Sequence, residues 1–356
     1  MSREKIKVLV VDDSALIRSL LTQLLNEAPD IEVVGVASDP FIAREKIKSL
    51  NPDVLTLDIE MPRMDGLTFL RNLMRLRPMP VVMVSSLTEK GAKVTMHALE
   101  LGAVDFITKP KVDISHELAG YADELIEKVR TAAGVKASAL HRLPIPGAAG
   151  SVDDVIPKVA IDNIRATDKI IAIGASTGGT EAIKEVLLGF PPDAPGIVVT
   201  QHIPAGFSAA FAERMNKQTR LVVKEAEDGD HIVPGHVYIA PGDRHLLVMR
   251  SGARYECKLS DAPKVNRHRP SVDVLFRSVL QAAGLNSAAA LLTGMGGDGA
   301  DSMVEMKNAG VHTVAQDEAT SVVWGMPGEA VKRGGVSEQL PLSSVASALI
   351  KALCAK

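Results

Sequence analysis

The chain has 356 residues, of which 46% are hydrophobic, 23% are charged and 3% are aromatic. This length suits two globular domains with aliphatic cores, because single hydrophobic cores rarely grow beyond about 250–300 residues. A net charge of −3 without a long basic run argues against binding to DNA or RNA phosphates, and the scarcity of aromatic residues argues against a stacking platform for single strands. The two cysteines provide neither a disulfide framework nor a zinc site.

The first residues pass from a basic start directly into a short apolar run that ends in acidic residues. They lack the apolar segment and the cleavage site of a signal peptide, and no apolar stretch reaches membrane-spanning length. We therefore expect a protein of the reducing cytoplasm that does not insert into membranes.

Strand and helix patterns alternate five times in the first part of the chain. Short apolar runs predict strands at 7–11, 32–37, 54–57, 81–85 and 104–108. Spaced apolar positions predict helices at 14–28, 40–50, 66–76, 94–101 and 117–130. Such alternation is typical of a parallel sheet with helices on both faces. We predict a doubly wound, flavodoxin-like α/β domain of five parallel strands over residues 1–128.

Residues 129–168 are rich in Ala, Gly and Pro and lack sustained periodicity, which is typical of a linker. Alternation then resumes, and residues 169–356 are predicted to form a second doubly wound α/β domain with a parallel sheet. Its predicted strands are 170–173, 197–200, 288–292 and 311–315, and its first predicted helix is 181–188. Between them, residues 220–260 hold short apolar runs separated by Gly and Pro turns, for which we expect hairpins at a sheet edge.

Polar side chains follow or end four of the predicted strands in the first domain. Asp12 and Asp13 follow the first strand, Asp58 follows the third, and Ser85 and Lys109 come at the ends of the fourth and fifth. Because the carboxyl ends of parallel strands border one crevice, we expect these side chains to lie together. Carboxylates suit a hard cation such as Mg²⁺, and a hydroxyl and an ammonium beside it favour a phosphoryl group. Any one acid alone is more often a helix cap or a solvated loop residue, but the five together indicate a site.

The second domain contains a Gly-Ala-Ser-Thr-Gly turn at 174–178, between a predicted strand and a predicted helix. This context is typical of a nucleophile elbow, although a glycine-rich turn can also bind phosphate or simply pack. The nucleophile Ser176 would need a base and an orienting group, and His202 and Asp298 both follow apolar runs. His312 is an alternative base that would restore the residue order of α/β-hydrolases, but it lies inside a strand pattern. Triads are defined by geometry rather than by order, so the residues alone leave this choice open.

Four segments of the first domain, VLVVDDS, DIEMPRMDG, VVMVSS and GAVDFITKP, resemble the receiver domain of bacterial response regulators. The resemblance covers about residues 5–128 and implies that Asp58 accepts a phosphoryl group from a histidine kinase. It also implies a Mg²⁺ site and two phosphate-sensing residues. The implied Mg²⁺ ligands are Asp13, Asp58 and the Glu60 carbonyl, with Asp12 nearby, and the implied sensors are Ser85 and Lys109. Phe106 occupies an aromatic switch position at which receivers more often carry Tyr.

The segments GASTGGTEA, QHIP, NRHRPSVDVLF and LLTGMGGDGA resemble the catalytic domain of the chemotaxis protein-glutamate methylesterases, the CheB family. Together with the receiver, this resemblance covers nearly the whole chain. It implies that Ser176 is the nucleophile, His202 the base and Asp298 its orienting group. It further implies oxyanion contributions near Thr177 and Met295, and it implies that the segment 266–271, with Arg267 and Arg269, lies near the cleft mouth. From the residues alone, the two arginines could equally belong to an ordinary solvated loop.

The resemblance implies an esterase that hydrolyses glutamate methyl esters on the cytoplasmic helices of methyl-accepting chemoreceptors and that also deamidates glutamine. A chemotaxis histidine kinase would be the phosphodonor, and phosphorylation of Asp58 would control access to the esterase site. The receiver would use Mg²⁺ for phosphorylation, and the esterase would need no cofactor.

Two other classes stay open from the residues alone. The first is a receiver with a DNA-binding output domain, which the neutral charge and the length of the second domain disfavour. The second is a nucleotide-binding module that uses 174–178 as a phosphate loop. That loop lacks the lysine of a P-loop and the spacing of a dinucleotide-binding motif.

Overall fold

The computed structural model describes residues 4–86, 88–110, 118–135 and 169–354. The chain divides into two compact units, Met1–Leu143 and Pro144–Lys356. Of the predicted linker, residues 129–133 belong to the last helix of the first unit, and residues 136–168 lie outside the described residues. The domain boundaries therefore stay a prediction. Among the described helices, none combines the length and the apolar character needed to cross a bilayer.

The first unit is a five-stranded sheet with connecting helices. Its strands are β1 (Ile6–Val11), β2 (Ile31–Ala37), β3 (Val54–Asp58), β4 (Val81–Ser85) and β5 (Asp105–Thr108). Its helices are α1 (Ala15–Asn26), α2 (Pro40–Leu50), α3 (Gly66–Leu76), α4 (Glu89–Glu100) and α5 (Leu118–Ala133). The strands run parallel in the order β2-β1-β3-β4-β5. The predicted doubly wound, flavodoxin-like fold is confirmed.

The strand order places a crevice where the acidic residues were predicted to meet. From β1 the chain passes to β2 on one side, and β3 and the later strands lie on the other side. Ligands of open α/β sheets bind at such a switch point. Every residue of β3 and β4 is buried, so both faces of these strands are covered. The polar groups that follow or end the strands are therefore held by a rigid sheet.

Helix α4 begins five residues before its predicted start at residue 94. The Thr88 hydroxyl accepts a hydrogen bond from the Gly91 amide at 2.9 Å, which caps the first turn. The first residues of α4 are polar and show little apolar periodicity, so the pattern did not predict them to be helical. The cap at Thr88 stabilises the helix there.

The second unit contains a seven-stranded parallel sheet in the order β15-β14-β13-β6-β7-β10-β8. Its strands are β6 (Ile170–Ala175), β7 (Gly196–Gln201), β8 (Val222–Glu225), β10 (His236–Ile239), β13 (Ser287–Leu291), β14 (His312–Gln316) and β15 (Glu338–Leu340). Its helices are α6 (Gly179–Leu188), α7 (Ser208–Gln218), α8 (Val272–Ala283), α9 (Ala300–Asn308), α10 (Met326–Lys332) and α11 (Leu342–Cys354). The predicted parallel-sheet α/β domain is confirmed.

Residues 220–260 differ from the expected series of hairpins. Strands β11 (His245–Ser251) and β12 (Arg254–Ser260) do form a hairpin, which β9 (His231–Ile232) extends to a small antiparallel sheet. However, β8 and β10 join the large sheet as parallel strands, so the hairpin prediction is wrong for them. Turn residues alone could not predict this parallel pairing, because β10 pairs with the distant strand β7 and not with β9 or β11, its neighbours in the sequence.

Strand β6 lies at the centre of the large sheet and is buried along its whole length. The chain leaves it toward β7 on one side, and the later strand β13 pairs with it on the other. This arrangement makes the carboxyl ends of β6, β7 and β13 neighbours at one edge of the sheet.

Candidate active site

Ser176 lies in the turn that joins β6 to α6. Its backbone N–H donates to the Thr293 carbonyl at 3.0 Å, and its own carbonyl accepts from the Gly179 N–H at 2.7 Å. Gly178 has a φ of 76°, which favours glycine and reverses the chain between strand and helix. These two hydrogen bonds hold the turn in place between the strand and the helix.

The segment that follows β13 passes directly against the serine. A Cβ atom at Gly294 would lie 2.7 Å from the Cβ of Ser176, closer than real Cβ contacts come. The Gly294 N–H donates to the Val323 carbonyl at 3.0 Å, which fixes the segment from its other side. Only a residue without a side chain lets this segment, which also carries Asp298, approach the nucleophile turn.

His202 follows β7 and bonds to the residue before the serine. Its backbone N–H donates to the Ala175 carbonyl at 3.1 Å, and its ring Nε2 lies 2.8 Å from Oδ2 of Asp298. An ionised carboxylate can only accept, so we assign the ring proton to Nε2. The buried Nδ1 has no hydrogen-bond partner among the described residues. It is therefore the ring atom that can accept a proton.

Asp298 is almost fully buried and surrounded by donors. Besides His202, it accepts hydrogen bonds from Asn266 Nδ2 at 2.9 Å, Ser271 Oγ at 2.8 Å and the Val272 N–H at 2.7 Å. Burial raises the pKa of this carboxyl, but the hydrogen bonds from His202, Asn266 and Ser271 outweigh burial and hold the pKa below its usual range. Asp298 therefore stays ionised at neutral pH.

The residues predicted for the oxyanion site and the cleft mouth differ in their burial and in their hydrogen bonds. Thr177 is buried, and its carbonyl accepts from the Thr293 hydroxyl at 3.0 Å. Met295 is half-buried beside Gly294. Arg267 is exposed and makes no hydrogen bond or ion pair with any described residue. Arg269 is half-buried, and its guanidinium donates to a carboxylate and to two backbone carbonyls, so it supports its own loop.

The alternative base His312 lies far along the sheet from this edge. It is the first residue of β14, at the amino end of that strand, and its Nε2 lies 3.7 Å from Oε1 of Glu338. The serine turn follows the carboxyl end of β6, and parallel strands place these two ends at opposite edges. The structure therefore brings His202, and not His312, to Asp298.

Three further residues of this site, Asn266, His268 and Asp273, were given no role from the sequence, although the first two lie in the segment 266–271 that was expected at the cleft mouth. The side-chain amide of Asn266 donates to Asp298 and also to Asp273, at 2.7 Å in the second case. Burial raises the pKa of Asp273. The ring of His268 stacks on that of His202. Ser271 and Asp273 are residue types that favour the start of a helix, which was not predicted here, and nothing local in the sequence signals the stacked histidine.

The acidic residues of the first unit lie together as predicted from their positions. One carboxylate oxygen from each of Asp12, Asp13 and Asp58 lies within 4.8 Å of the others. Lys109 Nζ is 2.8 Å from Oδ2 of Asp58 and 3.3 Å from Oδ2 of Asp12. Three carboxylates with one ammonium leave an excess of negative charge in an all-oxygen pocket, which fits a hard divalent cation such as Mg²⁺.

Burial dominates the electrostatics of this pocket. It raises the pKa of Asp58 to about 6, against the opposing effect of the Lys109 ammonium. Burial lowers the pKa of Lys109, but its ion pairs with Asp58 and Asp12 outweigh burial and raise that pKa. The Glu60 N–H donates to Oδ1 of Asp58 at 3.3 Å, so the backbone of Glu60 lies against the acceptor carboxylate.

The two other receiver positions singled out from the sequence are buried. Ser85 Oγ accepts a hydrogen bond from the Thr95 hydroxyl at 2.7 Å at the end of β4. Phe106 is buried in β5, and Lys128 Nζ lies 5.6 Å from the centre of its ring. Ser85 and Phe106 thus contact helices α4 and α5, which follow the strands that carry them.

Both sites together are those of a response regulator whose output domain is a hydrolase built on a parallel α/β sheet. The receiver domain model of response regulators matches residues 8–118, and the CheB methylesterase model matches residues 171–349. The chain belongs to the CheB methylesterase family, as its motifs predicted. The methylesterase match covers most of the second unit, and it favours neither the DNA-binding nor the nucleotide-binding alternative.

Relatives match along almost the whole chain. The protein-glutamate methylesterase/protein-glutamine glutaminase 1 of Xanthomonas campestris is 58% identical over 97% of this chain and 96% of the relative. The protein of the same name from Geobacter metallireducens is also 58% identical, over 97% of this chain and 95% of the relative. The CheB methylesterase catalytic domain of Thermotoga maritima is 38% identical, with a TM-score of 0.50, over 51% of this chain and 97% of that domain.

Proposed function

We propose that this protein is a phosphorylation-regulated methylesterase that hydrolyses glutamate methyl esters on chemoreceptors and deamidates receptor glutamines. One observation carries the esterase chemistry. An ionised, buried Asp298 holds His202 by Nε2 and leaves Nδ1 as a proton acceptor at the edge of the sheet where Ser176 emerges. The names of relatives that are 58% identical supply the substrate class.

In the first half of the reaction, Ser176 Oγ attacks the ester carbonyl carbon while His202 Nδ1 takes the hydroxyl proton. The Asp298 carboxylate stabilises the imidazolium that forms. The backbone amides near Thr177 and Met295 are the proposed donors to the oxyanion. The carbon–oxygen bond to the leaving group then breaks, and the proton held by His202 leaves with methanol.

In the second half, water attacks the acyl-enzyme and gives its proton to His202. The ester bond to Ser176 breaks, the serine recovers its proton, and a receptor glutamate is released. A glutamine side chain would follow the same steps with ammonia as the leaving group. We propose that the exposed Arg267 of the 266–271 loop faces the receptor, whereas Arg269 holds that loop in place.

The receiver would be phosphorylated on Asp58 by a chemotaxis histidine kinase in the cytoplasm. Asp13, Asp58 and the Glu60 carbonyl would hold Mg²⁺, with Asp12 beside them. This ion would neutralise charge on the transferred phosphoryl group. Lys109 already bonds to Asp58 and would turn to the phosphate, and Ser85 would donate its hydroxyl to it.

The esterase proposal is tested with membranes whose chemoreceptors carry radioactive methyl esters. The phosphorylated protein should release labelled methanol, and Ser176→Ala should lower turnover by about four to six orders of magnitude with the fold intact. Full activity of Ser176→Ala would contradict the serine-hydrolase mechanism. Release from receptors without methyl esters would contradict the proposed substrate.

A further inference from the structure

We propose that His268 is a positioning residue for the general base, because its ring holds the plane of the His202 imidazole. The proposal rests on the proposed function, in which His202 is that base. The two ring centroids are 3.7 Å apart and the ring planes differ by 9°, so the rings lie flat against each other. This is the geometry of a stacked aromatic pair in van der Waals contact.

A second constraint is needed because one hydrogen bond does not define the orientation of a ring. The hydrogen bond from Nε2 to Asp298 fixes the position of one ring atom of His202, but the plane of the ring can still rotate with Nε2 as the pivot. The lone pair of Nδ1 lies in the ring plane, so the plane decides where a proton can be accepted. The flat face of His268 blocks this turning from one side, since a tilted ring would collide with it.

His268 can exert this constraint because its loop is itself held at several points. Its backbone N–H donates to the Val265 carbonyl at 2.8 Å, and its carbonyl accepts from the Val265 N–H at 3.0 Å. Three residues on, the Ser271 N–H donates to Nδ1 of the buried His245 at 3.2 Å. The Arg269 guanidinium adds bonds to two backbone carbonyls. The stacking ring therefore stands on a rigid support.

The stacked ring also shields the base from solvent. The His202 side chain is only 8% exposed. A dry, fixed base keeps its proton-accepting atom free of competing water, which favours transfer from the serine hydroxyl. A face that is flat and apolar is sufficient for this role, so it does not require a second titrating group at position 268.

This requirement makes the test specific. His268→Phe keeps a flat ring and removes the nitrogens, whereas His268→Ala removes the ring. On methylated receptors, we expect His268→Ala to lower kcat about ten- to a hundredfold with KM unchanged, the size of loss that misplaced catalytic groups cause. His268→Phe should stay within about threefold of the parent. His231→Ala, at an exposed histidine of β9, serves as the matched control.

A second readout removes the receptor altogether. A small fluorophosphonate forms a bond from Ser176 Oγ to phosphorus as fluoride leaves, and the base takes the serine proton. The labelling rate should fall in His268→Ala by the same factor as kcat and recover in His268→Phe. Equal rates for His268→Ala and the parent would overturn the proposal, and so would a rise in KM with normal labelling. Equal losses in the Phe and Ala variants would also overturn it, because the ring face would then not be the cause.

Failure of the proposed function gives a different pattern. In that case Ser176→Ala would keep its esterase activity and the parent would not be labelled, whatever residue stands at position 268.

Discussion

The carboxylate of Asp298 decides which nitrogen of His202 can act as a base. Bonds from Asn266, Ser271 and the Val272 amide surround it, and it lies at the first turn of α8, where the helix dipole favours a negative charge. The carboxylate cannot take the proton of Nε2, so Nδ1 is left to receive the proton of the serine. The choice between the two ring nitrogens thus follows from the donors around a single carboxylate.

The triad assignment predicts a graded loss of activity. We expect His202→Ala to lower kcat as strongly as Ser176→Ala, and Asp298→Asn to lower it about 10³–10⁴-fold, because an amide would hold the wrong tautomer of the ring. His312→Ala should keep kcat within about twofold, since its side chain lies at the other end of the sheet. Receptor demethylation measured with the four purified variants checks this order. An inactive His312→Ala beside an active His202→Ala would reverse the assignment of the base.

The raised pKa of Asp58 predicts a pH-dependent stability of the receiver. Because the folded carboxyl has a pKa of about 6, against 3.8 as its ordinary value, the folded state binds more protons between these two values. Stability is therefore lost as pH rises through that window, and the ionised carboxylate costs about 1–3 kcal/mol at neutral pH.

Thermal unfolding of the full chain without Mg²⁺ measures this cost. Asp58→Asn should raise the melting temperature of the receiver transition at pH 7.5, and the difference should shrink at pH 5, where the native carboxyl is protonated. Added Mg²⁺ should stabilise the parent more than the variant, because the variant lacks one ligand charge. A larger gain at pH 5 than at pH 7.5 would show that burial does not raise this pKa. The same variant should no longer form the alkali-labile acyl phosphate with acetyl phosphate and Mg²⁺.

The packing of the turn after β6 against the segment after β13 makes one glycine indispensable. We expect Gly294→Ala to abolish esterase activity and to destabilise the second unit by about 1–3 kcal/mol, because its Cβ would overlap the backbone and side chain of Ser176. Gly120→Ala is the control. A Cβ at Gly120, within α5, meets no atom within 4 Å, and the change should raise stability by about 0.5–1 kcal/mol. Calorimetry and the methanol assay test both variants, and an active Gly294→Ala would refute the close approach.

Strands β8 and β10 illustrate what local patterns leave undecided. Their short apolar runs and flanking turns fit a hairpin, yet each pairs in parallel within the large sheet. All but the first residue of β10 are buried there, as expected for a strand that has a neighbour on each side. Apolar burial against β7 therefore outweighs the local preference for a turn.

The two units divide the chemistry of the protein between them. All three residues of the proposed triad lie in the second unit, so the receiver can alter ester hydrolysis only by regulating it. We expect a fragment from about residue 150 to the end to hydrolyse receptor esters faster than the unphosphorylated full chain. Phosphorylation of the full chain should bring its rate to that of the fragment or beyond.

Each tenfold change requires a bias of about 1.4 kcal/mol between inactive and active states. Initial rates with and without acetyl phosphate, beside Asp58→Asn as the unresponsive control, measure the effect. A folded fragment that is no faster than the unphosphorylated chain would mean that the receiver activates the enzyme rather than inhibits it.

Periodicity and motifs were sufficient to predict the class of both folds, the family and the residues at the strand ends. Buried parallel strands read as continuous apolar runs, and their carboxyl ends meet at one edge, so Asp12, Asp58 and Lys109 could be brought together in advance. The same reasoning selected Ser176, His202 and Asp298 as candidates.

The folded structure was needed for every feature that depends on contacts between distant segments. It excluded His312 as the base, because the amino end of β14, which carries His312, lies at the edge of the sheet opposite the serine turn. It also revealed the donors around Asp298 and the ring of His268 on His202, since residues 266–271 lie far from both in the sequence and meet them only in the folded chain. Periodicity reports which face of an element is buried, but it carries no information about which distant residue lies against it.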